Sequence, residues 1–563
     1  MPRPLAGPTG AFWTPRRAVL FLLALSLFLF FFRLGALDVG STDEARRSLV
    51  IRAMVADGHY AIPTFEGETY LKKPPLFYWL GALVQVASGR RDIWVYRLPS
   101  AVAALATVIA FFLLAARLLP IRAATLSATI LATCFMILEH GNRAQIDMTL
   151  GLFVILAMLF LARGRADGWG RGSWWGFWLA CGLAMLTKGP VGLLFPLGAG
   201  ILLATGPGFR EEIRRIRPLV GLAAAAAVFL PWGAVVVREI GLGPALDLLY
   251  KEVFQGYADP TRSHVKPLLF YFWNIPSHFL PWTVFLPAAI AGLREPRSDS
   301  ERGALRFAAA WLLPALVVLS LTHQKRSYYL LPAYGALALW HGWALDRFLL
   351  SAPGEGERGL ARRLAQIAMI VLGGGALAAA FGGGAWLRLK QPGLFRILSP
   401  SLVAFALWGA YLFLSLRRAR PDRALVILVG AVILAVGTLR GSMAGWINAR
   451  ESPRAFAQAV ARATPPDASL LTFLHDQPAL EFYVERHIER GGSEAWLRRR
   501  LASREPVYVV LREKDFETRR GIFRRRVVRT ENYMHRGMTM VLATNQDELP
   551  RPPLHEGLRN GGR

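Results

Sequence analysis

From residue 15 to residue 440 the chain alternates long apolar runs with short polar breaks. An apolar run of about 18 residues or more with few charges reads as a helix that crosses a membrane. Thirteen runs are candidate spans, some a little shorter, near residues 16–36, 98–117, 120–138, 145–163, 173–188, 189–206, 217–237, 268–292, 307–322, 328–346, 365–387, 402–416 and 424–439. The fifth and sixth form one apolar stretch interrupted by Lys188, Gly189 and Pro190, which predicts a turn between two helices. Two breaks are long, residues 38–97 and 238–267. Within the first, "GALVQVASG" is too short to span and is expected to lie in the interface. After Leu439 the pattern changes. Helix-like "SPRAFAQAVARAT" alternates with strand-like "ASLLTFL", "PVYVVLR" and "MTMVLAT", which predicts a small α/β domain over 441–563. Its tail, "DELPRPPLHEGLRNGGR", is expected to be disordered. The predicted architecture is mainly α: a polytopic helical domain over residues 1–440, with about thirteen transmembrane helices, followed by that domain.

Composition agrees. The 563 residues are 54% hydrophobic and 18% charged, too apolar for an ordinary soluble protein. The net charge of +28 would suit nucleic acid, but only eight of the 66 basic residues are Lys, and many Arg sit in short loops between runs. With the N-terminus in the cytoplasm, "RLLPIR", "RGRADGWGR", "REEIRRIR" and "LRRARPDR" all fall inside, as basic loops do. All eight Lys (72, 73, 188, 251, 266, 325, 390 and 514) then fall outside, with the C-terminal domain. Cys134 and Cys181 lie in apolar runs, so a structural disulfide is not expected. The first run lacks a small-residue cleavage site before Asp38, and reads as an uncleaved span.

Ionisable residues cluster at the outer ends of the runs: Asp43 and Glu44 after the first, Lys72 and Lys73 in "YLKKPPLFYW", Asp147 at the start of the fourth, Lys188 at the end of the fifth, His264 before the eighth, and Lys325 and Arg326 between the ninth and tenth. Singly, each could be a helix cap or a side chain snorkelling to the headgroups. Together on one face they suggest a polar cavity. Carboxylates suit proton abstraction from a hydroxyl, and Lys or Arg suit a phosphate. A sugar carried on a lipid phosphate needs both.

In order along the chain, "DVGSTDEARR", "FEGETYLKKPPLFYW", "TKGP", "HFLPWTVFLP" and "QKRSYYLLPAY" resemble the bacterial polytopic glycosyltransferases of the aminoarabinose transferase and protein mannosyltransferase superfamily. The resemblance implies a type C glycosyltransferase fold in the bacterial inner membrane. It implies transfer of a sugar from a polyprenyl-phosphate donor to lipid A or another envelope acceptor, on the periplasmic face. Asp43 matches the first-loop catalytic aspartate, with Glu44 beside it and Asp147 at a second acidic position. Arg46, Lys73, Lys188, Lys325 and Arg326 are then the donor-phosphate candidates, and His264 a weaker one. Tyr328 and Tyr329 are read as interfacial packing. The resemblance departs at Lys72, where aminoarabinose transferases carry a glutamate associated with a metal. A cation does not ligate a metal, so no metal or other cofactor is carried over. Protein O-mannosylation is the alternative within the class. A lipid or sugar transporter would place charges mid-span and show repeat symmetry, and neither is present.

Overall fold

The computed structural model describes residues 13–205, 209–252, 265–295, 298–351, 359–417, 421–475, 477–533 and 538–547. Among these, seven helical stretches are long and apolar enough to cross a membrane, or up to nine if each of two bent pairs counts as one span. All thirteen apolar runs coincide with helix, some as shorter or broken pieces. "GALVQVASG" falls in the 13-residue helix Leu76–Ser88. The chain divides into two compact units. One comprises residues 1–34, 54–63 and 69–443; the other comprises 35–53, 64–68 and 444–563.

In the first unit, the stretch Arg171–Ala204 is helical throughout, with one 3-10 segment, Gly189–Leu193. It nevertheless doubles back there. A Cβ on Gly192 would lie 2.7 Å from the Ala184 carbonyl, whereas eight residues of straight helix advance about 12 Å. Gly189, at φ 74°, makes the break in a region that favours glycine, and Pro190 opens the next turn. The turn predicted at Lys188-Gly189-Pro190 is thus a reversal, built as a tight 3-10 turn.

That reversal gives the unit two distinguishable ends. At one, Arg165 pairs with Glu212, Arg306 donates to the Thr205 carbonyl at 2.6 Å, Arg347 meets Glu301 at 2.7 Å, and Arg122 pairs with Asp346. At the other lie Asp147 and Lys188. Asp147 and Arg165 sit on the same helix, Ile146–Asp167, and 18 residues of helix separate them by about 27 Å, close to the hydrocarbon thickness of a bilayer. Among the described residues, the ion pairs named at the first end are made by Arg; at the Asp147 end, Arg143 likewise pairs with Glu139 at 3.4 Å.

The first apolar helix, Pro15–Phe31, opens on Thr14, whose side chain accepts from the Arg17 N–H at 3.3 Å. At its far end the main-chain carbonyls have no partner one turn on, and they are met by long polar side chains. Arg440 donates to Leu29 and Phe32 (3.1 and 3.2 Å), Asn142 to Leu29 (3.1 Å) and Arg97 to Leu34 (3.0 Å).

The second unit is built on a five-stranded sheet. Counting the short hairpin β1 (Thr64–Phe65) and β2 (Glu68–Thr69), its strands are β3 (Ser469–Phe473), β4 (Glu489–Gly491), β5 (Val507–Arg512), β6 (Arg525–Tyr533) and β7 (Met538–Thr544). Their order is β4-β3-β5-β7-β6, parallel across β4, β3 and β5 and antiparallel at β7 and β6. Leu471, Phe473, Val507, Val509 and Val541 bury one face under Leu497 and Phe516. Segment 35–53 is stitched to this unit by hydrogen bonds. The Val39 N–H donates to the Tyr483 hydroxyl (2.8 Å), the Asp38 N–H to Asn448 Oδ1 (3.0 Å), and Arg52 to the Phe482 carbonyl (2.7 Å). The unit therefore contains parts of the first long break as well as residues 444–563. His264 and residues 548–563 of the tail lie outside the described residues.

Candidate active site

In the second unit the site is built on the helix Thr42–Asp57. Its first turn contains two acids, Asp43 and Glu44, and sequence alone allows Asp43 to be the cap. The cap is Ser41: its hydroxyl accepts from the Glu44 N–H at 3.1 Å, and its carbonyl takes the Ala45 N–H at 3.1 Å. Asp43 is thereby released from capping and stands 3.3 Å from Arg46, with both side chains about a quarter exposed. Glu44 differs from its expected catalytic place. It is fully buried, and its carboxylate lies 3.4 Å from the Gly40 N–H, so it orders the entry to the helix. Ser41→Ala is expected to lower stability by about 1 kcal/mol while the folded protein keeps its turnover. Thermal unfolding measured beside activity checks this.

Beyond Arg46 the cluster extends through residues that sequence reasoning missed. The Phe65 ring has two guanidiniums near it, 5.9 Å from that of Arg46 and 5.3 Å from that of Arg490. Arg490, on β4, pairs with Glu66 and lies 3.6 Å from Glu481. Burial first, and the Arg46 charge second, draw the Arg490 pKa down to about 10, so it stays charged at neutral pH. The hairpin that presents Phe65 and Glu66 turns at Glu66 (φ 59°) and Gly67 (φ 80°). "FEGET" signals that turn in the sequence; nothing in "HIERGG" singles out Arg490.

In the first unit, Asp147 and Lys188 form a buried ion pair, 2% and 6% exposed. Asp147 is no cap: Gln145 holds that position and is fixed by Ser100, whose hydroxyl accepts from the Gln145 N–H (3.0 Å) and donates to its carbonyl (3.2 Å). The Lys188 ammonium lies 4.4 Å from the Tyr329 ring centre and 5.8 Å from that of Tyr328. The two tyrosines thus do more than interfacial packing; they form an aromatic wall around a cation. Lys325 is buried and donates to the carbonyls of Lys266 (3.0 Å) and Thr322. Arg326 is half-buried at the start of the 3-10 turn Ser327–Ala333. Lys73 meets Glu252 at 3.0 Å, both about a third exposed, while Lys72 is exposed beside the Tyr70 ring. No group of three His, Cys, Asp or Glu that could hold a metal occurs among the described residues.

A structure of ArnT from Cupriavidus metallidurans bound to undecaprenyl phosphate superposes on this chain with a TM-score of 0.75. The match covers 96% of this chain and 100% of that one, at 20% identity. The fold is that of the type C glycosyltransferases. The family described as dolichyl-phosphate-mannose-protein mannosyltransferase matches residues 72–234. An undecaprenyl phosphate-α-4-amino-4-deoxy-L-arabinose arabinosyl transferase of Pseudomonas paraeruginosa is 31% identical over 360 residues, 62% of each chain. A second, from Pseudomonas fluorescens, is 27% identical over 479 residues, 84% of each. The match to the first spans under two thirds of that relative's length. With these likenesses and its apolar helices, the chain is a multi-pass membrane protein that resembles the bacterial type C glycosyltransferases of the aminoarabinose transferase kind.

Proposed function

We propose that this chain moves a sugar from a polyprenyl-phosphate donor to lipid A or another cell-envelope acceptor, at the periplasmic face of the inner membrane. The observation that carries the reading is the release of Asp43 from helix capping by Ser41, on a fold shared with a protein crystallised with undecaprenyl phosphate. Asp43 accepts the proton of an acceptor hydroxyl, or orients an acceptor phosphate, for displacement at the sugar carbon. Arg46 holds the Asp43 carboxylate. Lys73, Lys188, Lys325 and Arg326 are the cations we assign to the departing phosphate. Of the three lysines, Lys73 is the most exposed, about a third, although it pairs with Glu252; Lys188 is buried with Asp147, and Lys325 is buried and donates to two carbonyls.

The test uses the full chain in liposomes with synthetic polyprenyl-phosphate sugars. Mass spectrometry then follows addition to lipid A and to a Ser/Thr-rich peptide. Addition to lipid A is expected. Addition to the peptide alone would favour protein O-mannosylation, the reading favoured by the match over 72–234. No transfer from any such donor would overturn the glycosyltransferase reading.

We infer thirteen spans, with the end of Arg122, Arg165 and Arg347 in the cytoplasm and the C-terminal domain in the periplasm; the Arg-rich breaks that lie at that end support this. Reporter fusions at Thr205 and Gly441 should report opposite sides, and one common side would refute that topology.

A further inference from the structure

We propose that Arg490 is a positioning residue for Asp43: by neutralising Glu66 and Glu481 it leaves the Arg46 guanidinium to the Asp43 carboxylate. The inference rests on the reading that Asp43 serves the acceptor. Two guanidiniums lie near one phenyl ring, and three carboxylates lie within ion-pair distance of them. Arg46 lies 3.3 Å from Asp43 and 5.9 Å from the Phe65 centre. Arg490 lies 5.3 Å from the same centre, paired with Glu66 and 3.6 Å from Glu481. Among the described residues, Glu44 and Arg47 share the helix of Asp43, and His487 lies 3.8 Å from Glu481. Glu44 is directed at the Gly40 N–H. Glu66 and Glu481 are only 15% and 10% exposed, so water shields them poorly. A buried carboxylate that loses its cation draws in the next nearest one. For Glu66 the guanidinium at hand is Arg46, which lies by the same Phe65 ring.

Removing Arg490 therefore acts on Asp43 at a distance. Arg46 swings toward Glu66, and Asp43 loses the neighbour that favours its charged form. The sign follows. The ionised carboxylate is the working form, present above its pKa and lost as pH falls. Loss of a cationic neighbour raises that pKa, so the acid limb of the rate profile moves to higher pH. A second substitution that removes the competing carboxylate should reverse the change.

The experiment measures kcat, KM for acceptor and the pH–rate profile in liposomes, for wild type, Arg490→Gln, Arg490→Lys, Glu66→Gln and Arg490→Gln/Glu66→Gln. Arg490→Gln is expected to lower kcat about tenfold with little change in KM, and to move the acid limb up by about one pH unit. The Glu66→Gln partner substitution should bring both back to within about threefold and a few tenths of a unit. Arg490→Lys keeps the charge and should retain the wild-type limb. If Arg490→Gln does not fold, the double variant and Arg490→Lys carry the test: both must show the wild-type limb, and a displaced limb in either overturns the inference. A folded Arg490→Gln with an unmoved limb, or a loss that Glu66→Gln does not repair, also overturns it and shows a merely structural arginine. Absence of transfer by the wild type would instead strike at the glycosyltransferase reading itself.

Discussion

Asp43→Asn is expected to leave the protein folded and inserted, and to reduce sugar transfer by about 10²–10⁴-fold. The substitution is nearly isosteric and removes only charge. The helix start does not depend on it, because Ser41 makes the cap with its hydroxyl on the Glu44 N–H. The ion pair with Arg46 is about a quarter exposed, so its loss costs at most about 1 kcal/mol. Stability and turnover should therefore separate. Thermal unfolding in detergent should stay close to wild type, while label incorporated from a polyprenyl-phosphate sugar falls to background. Near-normal turnover in the folded variant would leave Asp43 without a chemical task and would remove the main support for the proposed reaction.

Lys188→Ala is expected to destabilise the protein by about 3–5 kcal/mol, because it strands the Asp147 carboxylate in a buried site. This replaces a simpler expectation from the sequence, that a lone lysine at a membrane boundary waits for a lipid phosphate. The lysine is not lone; Asp147, 41 residues earlier, meets it. Lys188→Met combined with Asp147→Leu should recover most of the stability, since a buried pair replaced by apolar groups of similar volume is close to neutral. Activity then separates the two roles. If the ammonium also serves the donor, the stable double variant will show a rate that no longer saturates at wild-type donor concentrations. Lys188→Arg will recover only part of it, because a planar fork does not fit around Tyr329 as a compact ammonium does. Unchanged unfolding in Lys188→Ala would contradict the buried pair. Unchanged donor dependence in the double variant would confine Lys188 to the fold and leave the phosphate to Lys73, Lys325 and Arg326.

The sequence by itself determined the helical membrane architecture, because crossing a bilayer demands long apolar runs whose backbone groups bond internally. Gly189 and Pro190 marked a reversal for the same kind of local reason, and the Arg-rich breaks marked the end where Arg122, Arg165 and Arg347 find their carboxylates. Asp43, Asp147 and Lys188 stood out as charges at the ends of apolar helices, where charge is costly. What those charges meet was decided only in three dimensions. Ser41 and Asp43 are both competent caps in "STDE", and the choice is made by where the first helical turn closes. The partnership of Asp147 with Lys188 depends on two helices running antiparallel from a shared end, and no local pattern encodes it. Glu44 looked like a twin of Asp43, yet burial turns it onto the Gly40 N–H. Arg490 is one arginine among many along the chain. It acquires a role only because β4 and the Glu66–Gly67 turn bring it to the same phenyl ring as Arg46, so that electrostatics between residues more than 400 positions apart is set by the fold of the second unit.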